Sequence, residues 1–451
     1  MFDKKEKTLK TNKQKQIISW NFLKRYLANS SIHGVKYLID DNRHWSERVF
    51  WVIACSLSWW GCGILISGTI KDFITNKVDL TKETNFLKWE IEFPSIHLCF
   101  YFSGRAKDYA ANITGIDRRK ASTMIRLTKW ATMGYESSIA ANISSEQFEI
   151  LGEYIKPQCT DVLGKCIWND EELDCCEMFT PIETNIGQCL SFNSVHTNYS
   201  QNQHSSKFFM NHHKQMAKVT LYLKKTAFWN TSRDFFNVLL TSTIEYPARS
   251  IGKERYLSAQ WIKPKPTIWD FHLMPTHNDN GILSMPYNER HCRFHSEINN
   301  FRLLKSYSYH GCLVESQMRR SQSLCGCVSH LYPSSKQYRT CNYTELKCVL
   351  NNRKEIVDKN DDDCLPECEE IKFTLFENLS NDGFDLPNWA VTKLIFNMLP
   401  SPSIRYNRYR VRSLLDVIIS TGSTLGLFSG ASVLSLIELF YWFFLRHDDI
   451  K

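Results

Sequence analysis

Charge is missing from two long stretches of this 451-residue chain. Val49 to Ile70, twenty-two residues, contains no Asp, Glu, Lys or Arg, and Val417 to Leu445 contains one, Glu438. Each run is long enough to cross a hydrocarbon core of about 30 Å as a helix, which excludes an ordinary soluble chain. The short apolar core close to the start that marks a cleavable signal peptide is also missing, so the first run reads as an uncleaved span. No nucleophile elbow, metal-binding helix or phosphate-binding loop stands out, which leaves an enzyme as the least supported class. The His spacing of a structural zinc site does not accompany Cys325-Gly-Cys327, which argues against a metal there. Between the two runs there is no repeat or low-complexity tract.

The charges that are present are unevenly placed. The formal net charge is +8, and residues 1–48 hold eleven Lys or Arg against five Asp or Glu. A basic stretch of this kind can meet nucleic acid or anionic lipid. Standing directly before an uncharged run, it fits the positive-inside rule instead, which places the N-terminus in the cytoplasm and implies no nucleic-acid partner. Trp51, Trp59 and Trp60 are candidates for the aromatic belt at the bilayer interface. Two spans bring the chain back to the cytoplasm. The expected organisation is a cytoplasmic segment 1–48, a first transmembrane helix 49–70, an extracellular domain 71–413, a second transmembrane helix 414–445 and a cytoplasmic end 446–451, embedded in the lipid bilayer of the plasma membrane.

Cysteine usage supports this topology independently. Of sixteen cysteines, Cys55 and Cys62 sit in the first run. The other fourteen lie between the runs: Cys99, Cys159, Cys166, Cys175, Cys176, Cys189, Cys292, Cys312, Cys325, Cys327, Cys341, Cys348, Cys364 and Cys368. An even number in an oxidising compartment implies a disulfide framework. Sequons at Asn112, Asn142, Asn198, Asn230, Asn342 and Asn378 fall in the same segment. Lys218 to Leu223 and Ile371 to Phe376 alternate like strands, Asn300 to Ser308 also fits a strand, and Gly311 to Ser321 is compatible with a helix. Pro264, Pro266, Pro275 and Pro286 punctuate a loop-rich middle. The fold class expected is a membrane protein with two transmembrane helices and a large disulfide-rich α+β ectodomain.

The second run is too rich in small residues to be a plain lipid anchor. Gly422, Gly426 and Gly430 recur every four residues among five serines. On a helical wheel of about 100° per residue, Asp416, Ser420, Ser423, Gly430 and Glu438 fall within roughly 40° of one line. An acid at either end of a small polar stripe suits a helix that lines a cation pore. A Gly-x-x-x-Gly packing face with Glu438 snorkelling to the cytoplasm suits it equally.

Several motifs then converge on one family. His33-Gly34, in Ser30-Ser-Ile-His-Gly-Val-Lys-Tyr-Leu38, resembles the cytoplasmic His-Gly gating motif of the degenerin/epithelial sodium channel (DEG/ENaC) family. Phe93-Pro-Ser-Ile-His-Leu-Cys99 resembles the motif that follows that family's first span. Gly426 to Glu438 is similar to its pore signature, with Gly430-Ala431-Ser432 at the selectivity filter. Cys166 to Cys189, with Ser191-Phe-Asn193 after it, looks like the insect pickpocket branch. The ordered set runs from residue 31 to 446.

The resemblance implies a trimeric channel with a palm, finger and thumb ectodomain, built as a homo- or heterotrimer with related subunits. It implies sodium as the transported ion, no cofactor, no bound metal, block by amiloride and gating through the ectodomain, with room for an extracellular ligand. Asp416, Ser420, Ser423, Gly426 and Glu438 would line the pore or its mouths, and His33, Gly34 and Ile419 (or Ser420 beside it) would act in gating. The implied disulfides are Cys99 with Cys189, Cys292 with Cys368, Cys312 with Cys364, Cys325 with Cys348 and Cys327 with Cys341. Cys166 would pair with Cys175 or Cys176, and Cys159 with the other. One further thumb bridge of the family would join positions 316 and 362, which here are Ser316 and Asp362, so a softer thumb base is expected. Gly422-Ser423 and Ser429 also depart from the family's pattern. Three rival readings meet the same residues. An ATP-gated trimeric channel shares the two-span topology but lacks the Phe93 to Cys99 and Gly-x-Ser patterns. A disulfide-rich surface receptor needs only one span. A non-conducting regulatory subunit of a heteromeric channel has the same motifs.

Overall fold

The computed structural model describes residues 24–40, 43–84, 91–100, 108, 111–112, 156, 158–197, 208–210, 217–225, 235–260, 265–298, 303–333, 337–342, 345–358, 363–379, 386–400 and 405–445. The chain divides into two compact units, one made of Leu80–Arg408 and the other of Met1–Asp79 with Tyr409–Lys451.

The larger unit is built on two sheets that share one apolar core. In the first, Thr267–Asn278 pairs antiparallel with Ile371–Leu379 and parallel with Ala390–Met398. Ala217–Lys224, Leu163–Trp168 and Glu171–Leu173 follow in order. In the second sheet the order is Tyr256–Gln260, Phe235–Thr241, Ser95–Cys99, Gly187–Phe192 and Phe179–Thr184. Ser95–Cys99 is its central strand, and all five of its residues are buried. A strand covered on both faces need not alternate in polarity. Phe93 enters it with 0% exposure and meets Trp168, Phe271 and Phe192 edge-on, at centroid distances of 5.0, 5.7 and 6.0 Å. The Phe93 to Cys99 motif is therefore the middle of the core.

His97 shows how a polar residue is accommodated there. One ring nitrogen lies 2.6 Å from Ser191 Oγ and the other 2.8 Å from Thr241 Oγ1, so both are partnered. Burial pulls its pKa down to about 3. Burial likewise pulls His196 down to about 4, against the hydrogen bond of its ring to the Ile244 carbonyl.

The cysteines form seven disulfides: Cys99–Cys189, Cys159–Cys176, Cys166–Cys175, Cys292–Cys368, Cys312–Cys364, Cys325–Cys348 and Cys327–Cys341. These are the pairs the resemblance implies, with the alternative left open at Cys166 resolved in favour of Cys175. Cys325 and Cys327 are both engaged in these bridges, which removes the zinc reading of that pair. Most of the later bridges gather around the Tyr309–Cys325 helix. Ser308 caps its start by accepting the Gly311 N–H at 3.1 Å, and Gly326 ends it with a positive φ of 70°. Ser316 is buried on this helix, while Asp362 lies outside the described residues.

Local expectations fared unevenly. Lys218 to Leu223, Ile371 to Phe376 and Gly311 to Ser321 lie in the expected elements. The described part of Asn300 to Ser308 is irregular rather than a strand. Its backbone is claimed elsewhere: the Tyr307 N–H donates to the His295 carbonyl at 2.9 Å, and Leu304 fills the space a Cβ on Gly311 would take, 2.5 Å from its Cδ2. Pro275 sits inside the Thr267–Asn278 strand opposite Ile371 rather than in a loop. Of the sequon residues, Asn112 is exposed, Asn342 is half-buried, and Asn378 lies on a strand. Asn142, Asn198 and Asn230, like Pro264, fall outside the described residues.

A carboxyl cluster beside the Tyr309–Cys325 helix gives this unit a pH dependence. Glu367 accepts the Tyr309 N–H at 2.9 Å. Glu245 accepts from Arg255 Nη1 at 2.6 Å and lies 3.4 Å from His310 Nε2. Surrounding protein screens the Glu367 carboxyl from water and, with the Glu245 charge next, pushes it up to about 8, while the Tyr309 N–H and Arg255 oppose the rise and Glu370 adds to it. A carboxyl raised by folding stabilises fully below its unfolded value of 4.5 and loses that contribution as pH climbs to about 8. His97 and His196 work in the opposite sense: their contribution is present above 6.5 and is lost as pH falls towards 3 and 4. Glu367→Gln is thus expected to flatten the decline in thermal midpoint between about pH 4.5 and 8 without removing the loss that His97 and His196 cause in acid. Thermal unfolding of the solubilised full chain across pH measures this; an alkaline arm as steep as that of the wild type would remove the assignment to Glu367.

Candidate functional site

The smaller unit contains the two apolar runs and the segment before them. Trp45–Thr75 is one helix of 31 residues, about 46 Å long at 1.5 Å per residue. It overruns the expected 49–70 at both ends. His44 caps its start by accepting the Ser46 N–H, and the Asn76 N–H closes its end on the Asp72 carbonyl, so the charged flanks continue the helix. Among the described residues it is the one helix long and apolar enough to cross a membrane unaided, and the second run passes the same test only as a bent pair.

The second run is not the continuous helix that the wheel assumed. It is Leu414–Ser429 followed by Val433–Phe440, bent by 76° between them. The stripe from Asp416 to Glu438 therefore ends at the break. The cause is local. Gly430 takes φ 66° and closes the first helix through its N–H to the Gly426 carbonyl at 2.9 Å. Ser429 Oγ donates to the Leu425 carbonyl at 2.7 Å and accepts the Ala431 N–H at 3.3 Å. Ser432 then starts the second helix in a capping box with Ser435, the two exchanging backbone-to-hydroxyl bonds at 3.1 and 3.3 Å. The backbone donors released by the break thus find hydroxyl acceptors. Ser429, a departure from the family's pattern, is one of them.

The His33-Gly34 motif lies on this break. The His33 N–H donates to the Ser429 carbonyl at 2.9 Å. Its ring covers Gly430 so closely that a Cβ there would stand 2.4 Å from Nδ1. Gly34, with φ 83°, turns the chain into the short Val35–Ile39 helix, and a Cβ on it would stand 2.6 Å from Cys55 Sγ on the first span helix. Ser31 reaches Glu438 and Ser435. Tyr37 stacks on Trp51 at 4.5 Å under Arg43, and Tyr26 meets Trp442 edge-on at 6.2 Å. The first span helix touches the break as well: Ser58 Oγ donates to the Phe428 carbonyl at 2.6 Å, and Gly61 leaves room for the Phe428 ring.

His33, Gly34, Gly430, Ala431, Ser432 and Glu438 are brought together in this way. Asp416, Ile419, Ser420 and Ser423 are not part of that cluster. Asp416 is engaged in a capping box, accepting the Ser413 N–H at 2.7 Å and the Ser413 hydroxyl at 2.8 Å. The Ser423 hydroxyl donates to the Ile419 and Ser420 carbonyls of its own helix at 2.9 and 3.1 Å. Ile419 is 59% exposed and Ser420 half-buried. A Cβ on Gly426 would stand 3.7 Å from the Ala431 carbonyl. Sequence reasoning overlooked Ser31, Ser58, Cys55 and Ser435; the nearness of Ser31 to the His-Gly pair was the one available signal for the first.

Comparison with known proteins finds similar chains. A family model described as "Amiloride-sensitive sodium channel" matches residues 26–442. The chain is similar to the sodium channel protein Nach of Drosophila melanogaster, at 22% identity over 93% of this chain and 86% of that protein. It is similar to pickpocket protein 28 of the same species, at 23% identity over 93% of this chain and 78% of that protein. A shorter match, 26% identical over 34% of each chain, is to the bile acid-sensitive ion channel of Mus musculus.

Proposed function

Because the chain belongs to the amiloride-sensitive sodium channel (DEG/ENaC) family, we propose that it is a pore-forming subunit of a sodium-selective, voltage-independent, amiloride-blocked cation channel. In this reading it crosses the plasma membrane twice with both ends in the cytoplasm, and assembles as a homo- or heterotrimer with related subunits around the broken second span. Family members are ion channels rather than enzymes. The observation that carries the reading is the non-helical Gly430-Ala431-Ser432 segment between two apolar helices, with the His33-Gly34 segment seated on it. Non-helical backbone at membrane depth is tolerated only against protein or water. Repeated around an axis, the carbonyls and the Ser432 hydroxyl at the break would replace part of an ion's hydration shell. Glu438 would raise cation occupancy on the inner side, and Asp416 on the outer side.

Two features bear on gating. His33 couples the cytoplasmic segment to the break through one backbone bond and one ring contact, so lifting that segment would release the Ser429 to Gly430 turn. Stimuli would enter through the disulfide-laced ectodomain and reach the same turn through the second span.

Whole-cell recording tests the proposal. The chain, alone or with a related subunit, is expected to carry a sodium current blocked by amiloride, with Ser432→Cys shifting the sodium-to-potassium permeability ratio. Surface-expressed chain that carries no current in either setting would leave the non-conducting reading in its place.

A further inference from the structure

Beside the start of the Tyr309–Cys325 helix, three side chains of the larger unit stand in the order acid, imidazole, hydroxyl. Glu245 is buried, and its Oε1 lies 3.4 Å from His310 Nε2. The other ring nitrogen, Nδ1, lies 2.7 Å from the hydroxyl of Ser250, which is exposed. Each member is held from outside the group. Arg255 Nη1 and the Ser242 N–H donate to Glu245 Oε2 at 2.6 and 3.3 Å. His310 is the second residue of the helix. The turn that carries Ser250 is fixed on either side, by the Arg249 N–H to Asn185 Oδ1 at 2.9 Å and the Ile251 N–H to the Ala248 carbonyl at 3.2 Å.

The protons follow from these contacts. Burial lowers the His310 pKa from its ordinary 6.5, Glu245 opposes the fall, and Arg255 adds to it, so the ring is neutral near pH 7. A neutral imidazole donates at one nitrogen and accepts at the other. The Glu245 charge favours the proton on Nε2, which leaves the Nδ1 lone pair to accept the Ser250 O–H. A hydroxyl bonded to a base that a third group orients is the general signature of an activated nucleophile. Sixty positions separate Ser250 from His310, so no local sequence pattern announces it.

We propose that Ser250 is a covalent modification site for small acylating or phosphonylating electrophiles, with His310 as its base and Glu245 as the residue that orients the base. With a fluorophosphonate, the Ser250 Oγ–P bond forms as the P–F bond breaks. Fluoride leaves, and the hydroxyl proton passes to His310 Nδ1 and from there to water. The product is one stable adduct per chain, without turnover, so the site is a property of a channel subunit and not an enzyme activity. It does not depend on the pore reading above.

Labelling of the full-length chain in isolated membranes with a biotinylated fluorophosphonate, followed by mass spectrometry of the peptide that carries residue 250, is the test. The adduct is expected on Ser250. His310→Gln should slow its formation by about 100-fold, the lower end of what a positioned general base contributes. Glu245→Gln should slow it by about ten-fold, the scale of one interaction with a charged group. Wild-type chain unfolded in urea supplies a second measurement that needs no variant to fold: it exposes every serine but dissolves the group, and labelling of Ser250 should again fall by about 100-fold. No adduct on Ser250 in the native wild-type chain overturns the proposal. Equal labelling in His310→Gln or in the unfolded chain also overturns it, since an exposed hydroxyl alone would then account for the adduct. An adduct with the expected dependence on His310, in a chain that carries no current, leaves this site standing and removes only the pore reading.

Discussion

Gly430→Ala is expected to abolish current while the protein still reaches the cell surface. Two costs add at this residue. Its φ of 66° lies in the left-handed region, where a side chain costs roughly 1–2 kcal/mol. The added Cβ would also stand 2.4 Å from His33 Nδ1, with further ring atoms at 2.6 Å. The His33 N–H bonded to the Ser429 carbonyl holds the backbone of His33 against the turn, so the clash can be relieved only by turning the ring out of its place or by breaking that bond. The turn opens, the ring is displaced from it, or the segment that carries His33 leaves it. A loss of 1.4 kcal/mol is already about ten-fold in an equilibrium, so current density should fall by at least that factor. The double variant Gly430→Ala with His33→Ala separates the two costs: it relieves the clash but not the backbone strain, and should recover part of the current. Current density normalised to surface labelling is the readout. Wild-type current from Gly430→Ala would show that the turn is not needed for conduction, and a double variant no better than the single would exclude the ring contact as the cause.

The largest loss of stability is expected from Phe93→Ala. Phe93 is fully buried between both sheets of the larger unit and has three aromatic neighbours within about 6 Å. Truncating a buried phenylalanine costs about 3–5 kcal/mol through lost transfer energy and the cavity left behind. The backbone at this point is fixed by the Phe93 N–H to the Phe208 carbonyl at 2.8 Å, so the strand cannot collapse into the space. Most of the protein should then be retained inside the cell. Phe93→Leu, which fills most of the volume, should cost less and reach the surface. Thermal unfolding of the solubilised chain distinguishes the two; equal midpoints for Phe93→Ala and wild type would mean that this aromatic cluster is not the stabilising core.

These two residues also show what could be read in advance and what could not. The motif from Phe93 to Cys99 was visible as a signature, but its residue types gave no strand alternation because both faces are covered. The uncharged run from Val49 to Ile70 was legible because twenty-two residues without charge admit few explanations. The helix around it was longer, since the flanking residues continue and cap it. The disulfides were legible only through resemblance, because fourteen cysteines allow very many pairings and spacing alone selects none. The break at Gly430 was hidden for a physical reason. Hydropathy runs straight through it, and a glycine followed by small residues reads equally well as a helix-packing face. What decides between them is the set of hydroxyl acceptors at Ser429, Ser432 and Ser435, which satisfy the backbone once the helix has stopped. Contacts such as Ser31 with Glu438 join residues 407 positions apart, and no local pattern announces them.

That separation also bears on how the chain is made. The segment that carries Ser31 and His33 leaves the ribosome well before its partners on the second apolar run, which lie between Ser429 and Trp442. At about 5–20 residues per second, the 407 positions between Ser31 and Glu438 represent roughly 20–80 s of translation. Throughout that interval His33 and Ser31 wait without their acceptors on the second apolar run. Seating of the segment thus follows synthesis of the second apolar run. A chain truncated before Ser429 would carry every residue of the His33-Gly34 segment and lack the carbonyl, ring and carboxylate partners on which it closes.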